Sequence, residues 1–125
     1  MLDIIIPTID HPSLIKRAIS SIVKYCSNLN KINLYIVNDA SDYPNEEYKK
    51  VLTQFPMLRS QLVRNKARLG PGPSRNIGIK QGNSKWITFL DGDDTYKEDI
   101  FQYIPADSEK DLIVTTVQSW HGYVY

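Results

Sequence analysis

The chain has 125 residues, of which 42% are hydrophobic, 23% charged and 10% aromatic, the composition of one globular domain over 1–125 and not of a disordered or fibrous chain. Fifteen lysines and arginines against fourteen acidic residues leave a formal charge of +1, which removes the broad electrostatic case for nucleic acid or an anionic membrane surface. No apolar run is long enough to span a bilayer, and Asp3 stands where a signal peptide wants basic residues, so a cytoplasmic location is expected. A single cysteine, Cys26, excludes an intrachain disulfide, and Cys26, His11 and His121 are too scattered to spell a zinc site.

Ile4-Ile5-Ile6 is a β-branched run stopped by Pro7, and a continuous apolar run predicts a strand covered on both faces. Pro12 suits a first helical position, and Leu14, Ile15, Ala18, Ile19, Ile22, Val23 and Cys26 recur at spacings of three and four, which predicts an amphipathic helix. Leu34 to Val37 reads as a second strand ended by the turn-forming Asn38-Asp39-Ala40-Ser41-Asp42. A second helix follows through Tyr48, Val51, Leu52 and Phe55 and stops at Pro56. Leu62-Val63 is a weaker third strand; after it come a Gly70-Pro71-Gly72-Pro73 loop and a short helix through Ile77 ending near Gly82. Trp86 to Leu90 is the fourth strand, and Asp111 to Val117 the fifth. Strands alternating with helices imply parallel pairing through right-handed crossovers, a doubly wound α/β architecture.

Open sheets of this kind bind ligands beyond the carboxyl ends of their strands, where strand order reverses. Polar residues follow three of the strands there: Pro7-Thr8, Asn38-Asp39 and Asp91-Gly92-Asp93-Asp94. Three carboxylates in the four residues 91–94 repel one another by up to about 4 kcal/mol per pair at 4 Å and an effective dielectric near 20. A divalent ion relieves that repulsion, and hard oxygen donors select Mg²⁺, Mn²⁺ or Ca²⁺. An EF-hand is excluded, since counting from Asp91 the sixth and twelfth places hold Tyr96 and Gln102. Asp91-Gly92-Asp93-Asp94-Thr95 also resembles the Asp-x-Asp-x-Thr motif of haloacid-dehalogenase-like phosphatases, although that family carries it on its first strand. An acidic turn of a nucleotide- or cation-binding module without catalysis is a further alternative. The segment from Arg68 to Asn76 lacks the Lys-Ser/Thr of a P-loop, and Arg75 occupies the third glycine of a dinucleotide fingerprint. What remains is a tight loop feeding a helix N-terminus, which favours an anion, with Arg68 and Arg75 adding positive charge.

Taken in order, Ile4-Ile5-Ile6-Pro7-Thr8, Tyr35-Ile36-Val37-Asn38-Asp39-Ala40-Ser41, Gly70-Pro71-Gly72-Pro73-Ser74-Arg75-Asn76-Ile77-Gly78-Ile79 and Trp86 to Asp94 resemble a glycosyltransferase of family 2. The resemblance implies a Rossmann-like GT-A fold with helices on both faces of a mostly parallel sheet, incomplete at its C-terminus. It implies that Pro7, Thr8 and Asp39 line the nucleobase and ribose pocket of a nucleotide-sugar donor, a UDP-sugar by preference. Arg68 stands where the family often has an asparagine that contacts ribose or base, and Asn38 replaces the first of a frequent acidic pair. Arg75 would face the diphosphate or sugar, Asp91 the ribose or sugar hydroxyls and the metal, and Asp93 the Mn²⁺ or Mg²⁺. The acceptor, whether saccharide, lipid or protein, and the catalytic base of an inverting reaction are expected to belong to sequence beyond Tyr125. Apolar surface near Leu112, Ile113, Trp120 and Tyr123 is expected to promote self-association.

Overall fold

The computed structural model describes residues 1–104; the expected fifth strand and the apolar surface near Leu112 and Trp120 lie outside the described residues. The elements run β1 (Leu2–Thr8), α1 (Pro12–Tyr25), β2 (Ile32–Asn38), α2 (Asn45–Thr53), β3 (Arg59–Arg64), α3 (Pro71–Gln81) and β4 (Trp86–Phe89), with short 3-10 turns at Leu29–Lys31 and Ile100–Tyr103. All described pairings are parallel and the strand order is β3-β2-β1-β4. The doubly wound α/β reading therefore holds over these residues.

The isoleucine run lies on the central strand, and every residue of β1 is buried. Its even-numbered side chains Leu2, Ile4 and Ile6 join Ile15, Ala18, Ile19 and Ile22 of α1 and Tyr48 and Val51 of α2 in the main core. Ile5, with Tyr35 and Val37 of β2, meets Ile77 and Ile79 of α3 on the opposite face. Two-faced burial is what makes β1 uniformly apolar where a one-faced strand would alternate. Gly78 lets α3 approach the sheet directly, because a Cβ there would lie 2.4 Å from Ile5 Cγ2.

Several expected boundaries shift. Pro7 does not stop β1, which continues through Thr8. Ile5 O accepts from Leu90 N and Thr8 O from Asp39 N, so alternation turns the Pro7 backbone toward the β4 side, where β4 has already ended at its Ile5↔Phe89 pair. No ladder bond is lost there. The third helix begins at Pro71 and absorbs the Gly72-Pro73 segment expected to be loop, because first-turn N–H groups have no helical acceptor and proline has none to leave unpaired. Phe55 follows α2 instead of ending it. Cys26 is the residue after α1, its N–H closing on Ile22 O, and burial pushes its thiol up to about 11.

Candidate functional site

Chain order carries β1 to β2 to β3 in one direction and then returns to place β4 on the other side of β1. The order reverses between β1 and β4, and the crevice beyond their carboxyl ends is where such sheets bind ligands. A cavity of about 320 Å³ occupies it, and Pro7, Thr8, Asp39, Arg68, Arg75 and Asp91 all line it. The structure thus brings together every expected donor-contacting residue, with Asp10, Gly70 and Ser74 added to the wall. A smaller hollow of about 120 Å³ near Asn33, Arg59 and Gln61 lies toward the amino ends of the strands, away from these groups.

Asp39 follows β2 and is 4% exposed. Its Oδ1 accepts from Leu69 N at 2.8 Å and Asn65 Nδ2 at 2.9 Å, and its Oδ2 from Gly70 N at 2.8 Å. Burial by itself pushes the carboxyl up, but hydrogen bonds from the Leu69 N–H, Asn65, the Gly70 N–H and Ser74 outweigh it, and the net shift is downward. The turn aspartate therefore carries heavy structural duty. It clamps the loop entering α3, where Gly70 sits at φ 96, a left-handed conformation that glycine adopts without a Cβ clash.

The acidic turn is the contrasting wall. One carboxylate oxygen each from Asp91, Asp93 and Asp94 can be chosen so that all lie within 4.8 Å of one another. Arg75 Nη2 donates to Asp91 Oδ1 at 2.9 Å in a half-exposed ion pair, and its guanidinium carbon lies 5.6 Å from the Phe89 ring centroid. Arg75 Nε is buried without a hydrogen-bond partner among the described residues, an orphaned donor beside the cavity. Burial pushes the Asp94 carboxyl up, Asp93 and Asp91 push it further, and Arg17 opposes them. Two contacts from the α1 side hold the turn: Arg17 Nη2 donates to Asp93 O at 2.7 Å, and Tyr96 N donates to Ser21 Oγ at 2.9 Å. Gly92 packs so closely that a Cβ would fall 2.7 Å from Thr8 Oγ1 and 2.6 Å from Asp10 Oδ2. Three hard oxygen donors, two of them exposed, with room for further ligands from solvent and substrate, fit Mg²⁺ or Mn²⁺.

Sequence reasoning missed Asn65, Asp10 and Tyr48. Asn65 is buried and donates to both Asp39 Oδ1 and Ser74 Oγ, whereas Arg68, where the resemblance placed an asparagine, is exposed and donates to Ala40 O at 3.3 Å. Asn65 lies five places before Gly70, so a longer loop hid it. Asp10 lies between the first strand and the first helix; its carboxylate accepts from Thr8 Oγ1 and its N–H donates back to that oxygen, both at 2.9 Å. The Asp10 N–H bond to Thr8 Oγ1 is an ST-turn, and its sequence signal is Thr-x-Asp. The phosphatase alternative is not supported, since Asp91 follows β4 and not the first strand.

A family model described as "Glycosyl transferase family 2" matches residues 3–120. An uncharacterized glycosyltransferase, MG060 of Mycoplasma genitalium, is 32% identical over 118 residues, which is 90% of this chain and 40% of the relative. The poly(ribitol-phosphate) β-N-acetylglucosaminyltransferase TarS of Staphylococcus aureus is 28% identical over 92 residues, covering 73% of this chain and 16% of that protein. Among solved structures, TarS 1–349 in complex with UDP superposes with a TM-score of 0.71 at 20% identity, covering 81% of this chain and 30% of that one. The mannosyltransferase PcManGT of Pyrobaculum calidifontis, in complex with GDP-Man and Mn²⁺, gives 0.71 at 21% identity, covering 77% and 28%. The chain thus spans less than half the length of these relatives, and the fold it shares with the solved structures is the expected GT-A arrangement. Among the described residues no helix is long and apolar enough to cross a membrane. With a matching family model over nearly its whole length and a relative above 30% identity, the chain belongs to glycosyl transferase family 2.

Proposed function

We propose that this chain binds the nucleotide-sugar donor of a metal-dependent, inverting glycosyltransferase, with a UDP-sugar as the preferred donor. The observation that carries the reading is the pairing, across one switch-point cavity, of an acidic turn with a cationic wall made by Arg75 and the N-terminus of α3. A carboxylate cluster alone repels a diphosphate, whereas a divalent ion between them joins the two. Family membership and the nucleotide-bound solved relatives support the same donor class.

In this reading Pro7 and Thr8 border the nucleoside, and Asp39 acts on it by holding the Leu69–Gly70 wall in place. Arg75 turns a guanidinium toward the diphosphate or sugar, and its orphaned Nε is a donor for an anionic oxygen. Asp91 and Asp93 hold Mn²⁺ or Mg²⁺, which when bound neutralises the diphosphate and eases its departure. Transfer is a direct displacement: the acceptor oxygen bonds to the anomeric carbon as the bond to the diphosphate oxygen breaks, and a base takes the hydroxyl proton. The acceptor site and that base are assigned to other parts of the protein.

The test is thermal melting in UDP, in Mn²⁺ and in both. The combined stabilisation should exceed the sum of the separate ones, reaching roughly 2.7 kcal/mol when free ligand is about one hundred times its Kd. Asp93→Asn should remove the synergy and, by relieving the repulsion with Asp94, leave the metal-free melting temperature equal to or slightly above that of the wild type. Strictly additive shifts in the wild-type chain would refute a bridging metal, and UDP release from UDP-sugars separates an enzyme from a binding module.

A further inference from the structure

We propose that Tyr48 is a positioning residue for the nucleoside end of the cleft: its buried hydroxyl couples the loop after β1 to the turn after β2 and sets the gap between them. The assignment rests on the nucleotide reading above. Tyr48 comes from α2, is 0% exposed and does not line the cavity. Its ring belongs to the main core, but its Oη leaves that core and donates to Asp10 O at 2.6 Å. The same oxygen lies 3.1 Å from Ser41 Oγ; since the one phenol proton goes to Asp10 O, this second bond is made by the Ser41 hydroxyl, whose single proton is shared between Tyr48 Oη and Tyr43 O, also at 3.1 Å.

Both partners stand next to residues of the cleft. Asp10 is locked to Thr8 by the reciprocal bonds through Thr8 Oγ1. Ser41 N donates to Asn38 Oδ1 at 3.0 Å, fixing the turn that presents Asp39. A continuous chain of hydrogen bonds therefore runs from Thr8 through Asp10, Tyr48 and Ser41 to Asn38, around the outside of the nucleoside end. The backbone tie between the two loops is Asp39 N to Thr8 O at 3.0 Å. Farther out, the His11 and Tyr43 rings meet edge to face at 5.0 Å, a contact that tolerates sliding where a short hydrogen bond does not. A buried hydroxyl is costly without partners, and phenylalanine would fill the same core volume, so the hydroxyl's contribution is the coupling of the loops.

Tyr48→Phe separates the coupling from the packing. Calorimetry with Mn²⁺ present should show the Kd for UDP rising about three- to tenfold, the size of one lost hydrogen bond, while the Kd for inorganic pyrophosphate stays within about twofold because the phosphate end is built from Arg75 and the acidic turn. Amide exchange at Asp10 and Ser41 should quicken together in the ligand-free chain. Ile22→Val, a core change of the same layer, should lower stability without moving either Kd. An unchanged UDP affinity in Tyr48→Phe, or an equal loss for UDP and pyrophosphate, would overturn the assignment. Should Tyr48→Phe fail to fold, Ser41→Ala, which removes one arm of the bridge, carries the same test. A wild-type chain that bound neither UDP nor pyrophosphate would overturn the nucleotide reading itself, and this assignment with it.

Discussion

The two acidic walls of the cleft use the same side chain in opposite ways. Asp39 is 4% exposed and faces two backbone N–H groups and an amide of its own chain; Asp93 and Asp94 are exposed and lie close to each other and to Asp91, which is paired with Arg75. One carboxyl is held below its ordinary range and the other, on Asp94, is raised above it. Internal donors convert an aspartate into a builder of the fold, whereas clustering without enough donors leaves it charged, repelled and open to a cation. Asp3 repeats the first pattern at the far end of the sheet, accepting from Ser84 N, Ser84 Oγ and Asn33 Nδ2 beside Gly82, where no Cβ fits.

The largest expected effect comes from Asp39→Ala, which orphans the Leu69 and Gly70 N–H groups and the Asn65 amide and should cost about 3 kcal/mol in urea unfolding. Because its hydrogen-bond donors hold the folded Asp39 carboxyl below the ordinary aspartate range, its contribution is fully present above the unfolded value and is lost as pH falls through the folded one. The stability gap between wild type and Asp39→Ala should therefore be constant near neutrality and shrink in strongly acidic buffer. A gap that stayed constant to acid pH would mean that Asp39 is not clamping as a carboxylate. Asp94→Asn tests the other wall and should have the opposite sign. With a raised folded value, the Asp94 charge opposes folding in full above that value, and the penalty shrinks as pH falls below it and is gone below the unfolded value. Its neutralisation should stabilise the metal-free chain by less than about 1 kcal/mol, as befits an exposed charge; destabilisation would make Asp94 a second builder.

The smallest effect sits beside Asp39. Ala40 holds φ 51, a left-handed conformation that costs a non-glycine residue about 1–2 kcal/mol, while glycine loses more chain entropy on folding by about 0.5–1 kcal/mol. Ala40→Gly should therefore stabilise the chain by a net ~0.5 kcal/mol without changing UDP affinity, measured by urea unfolding and calorimetry. A change in affinity would show that the turn's strain, and not only the Asp39 clamp, shapes the pocket.

Much of this site was legible before any coordinates because its parts are local. Ile4-Ile5-Ile6 and Leu34 to Val37 announce strands by β-branching and length, the α1 stripe announces a helix by period, and polar residues directly after the strands point to the carboxyl edge of the sheet. Boundaries failed where the deciding partner is distant in sequence. Whether Pro7 ends β1 depends on where β4 stops, 84 residues later in the chain by the Ile5↔Phe89 pairing. That Pro71 and Pro73 join α3 depends on Asp39 fixing the preceding Leu69–Gly70 turn.

Sequence by itself determined the element types, their parallel alternation, the family and the residues that line the cleft, since each rests on periodicity, turn chemistry or an ordered set of motifs. Tertiary structure alone decided the β3-β2-β1-β4 order that places the crevice between β1 and β4, and the division of the aspartates into clamp and open cluster. It also decided that Tyr48, an ordinary core position by spacing, sends its hydroxyl to Asp10 and Ser41. A side chain's chemistry follows from the donors, acceptors and charges that folding brings to it from remote parts of the chain, and no local pattern records those.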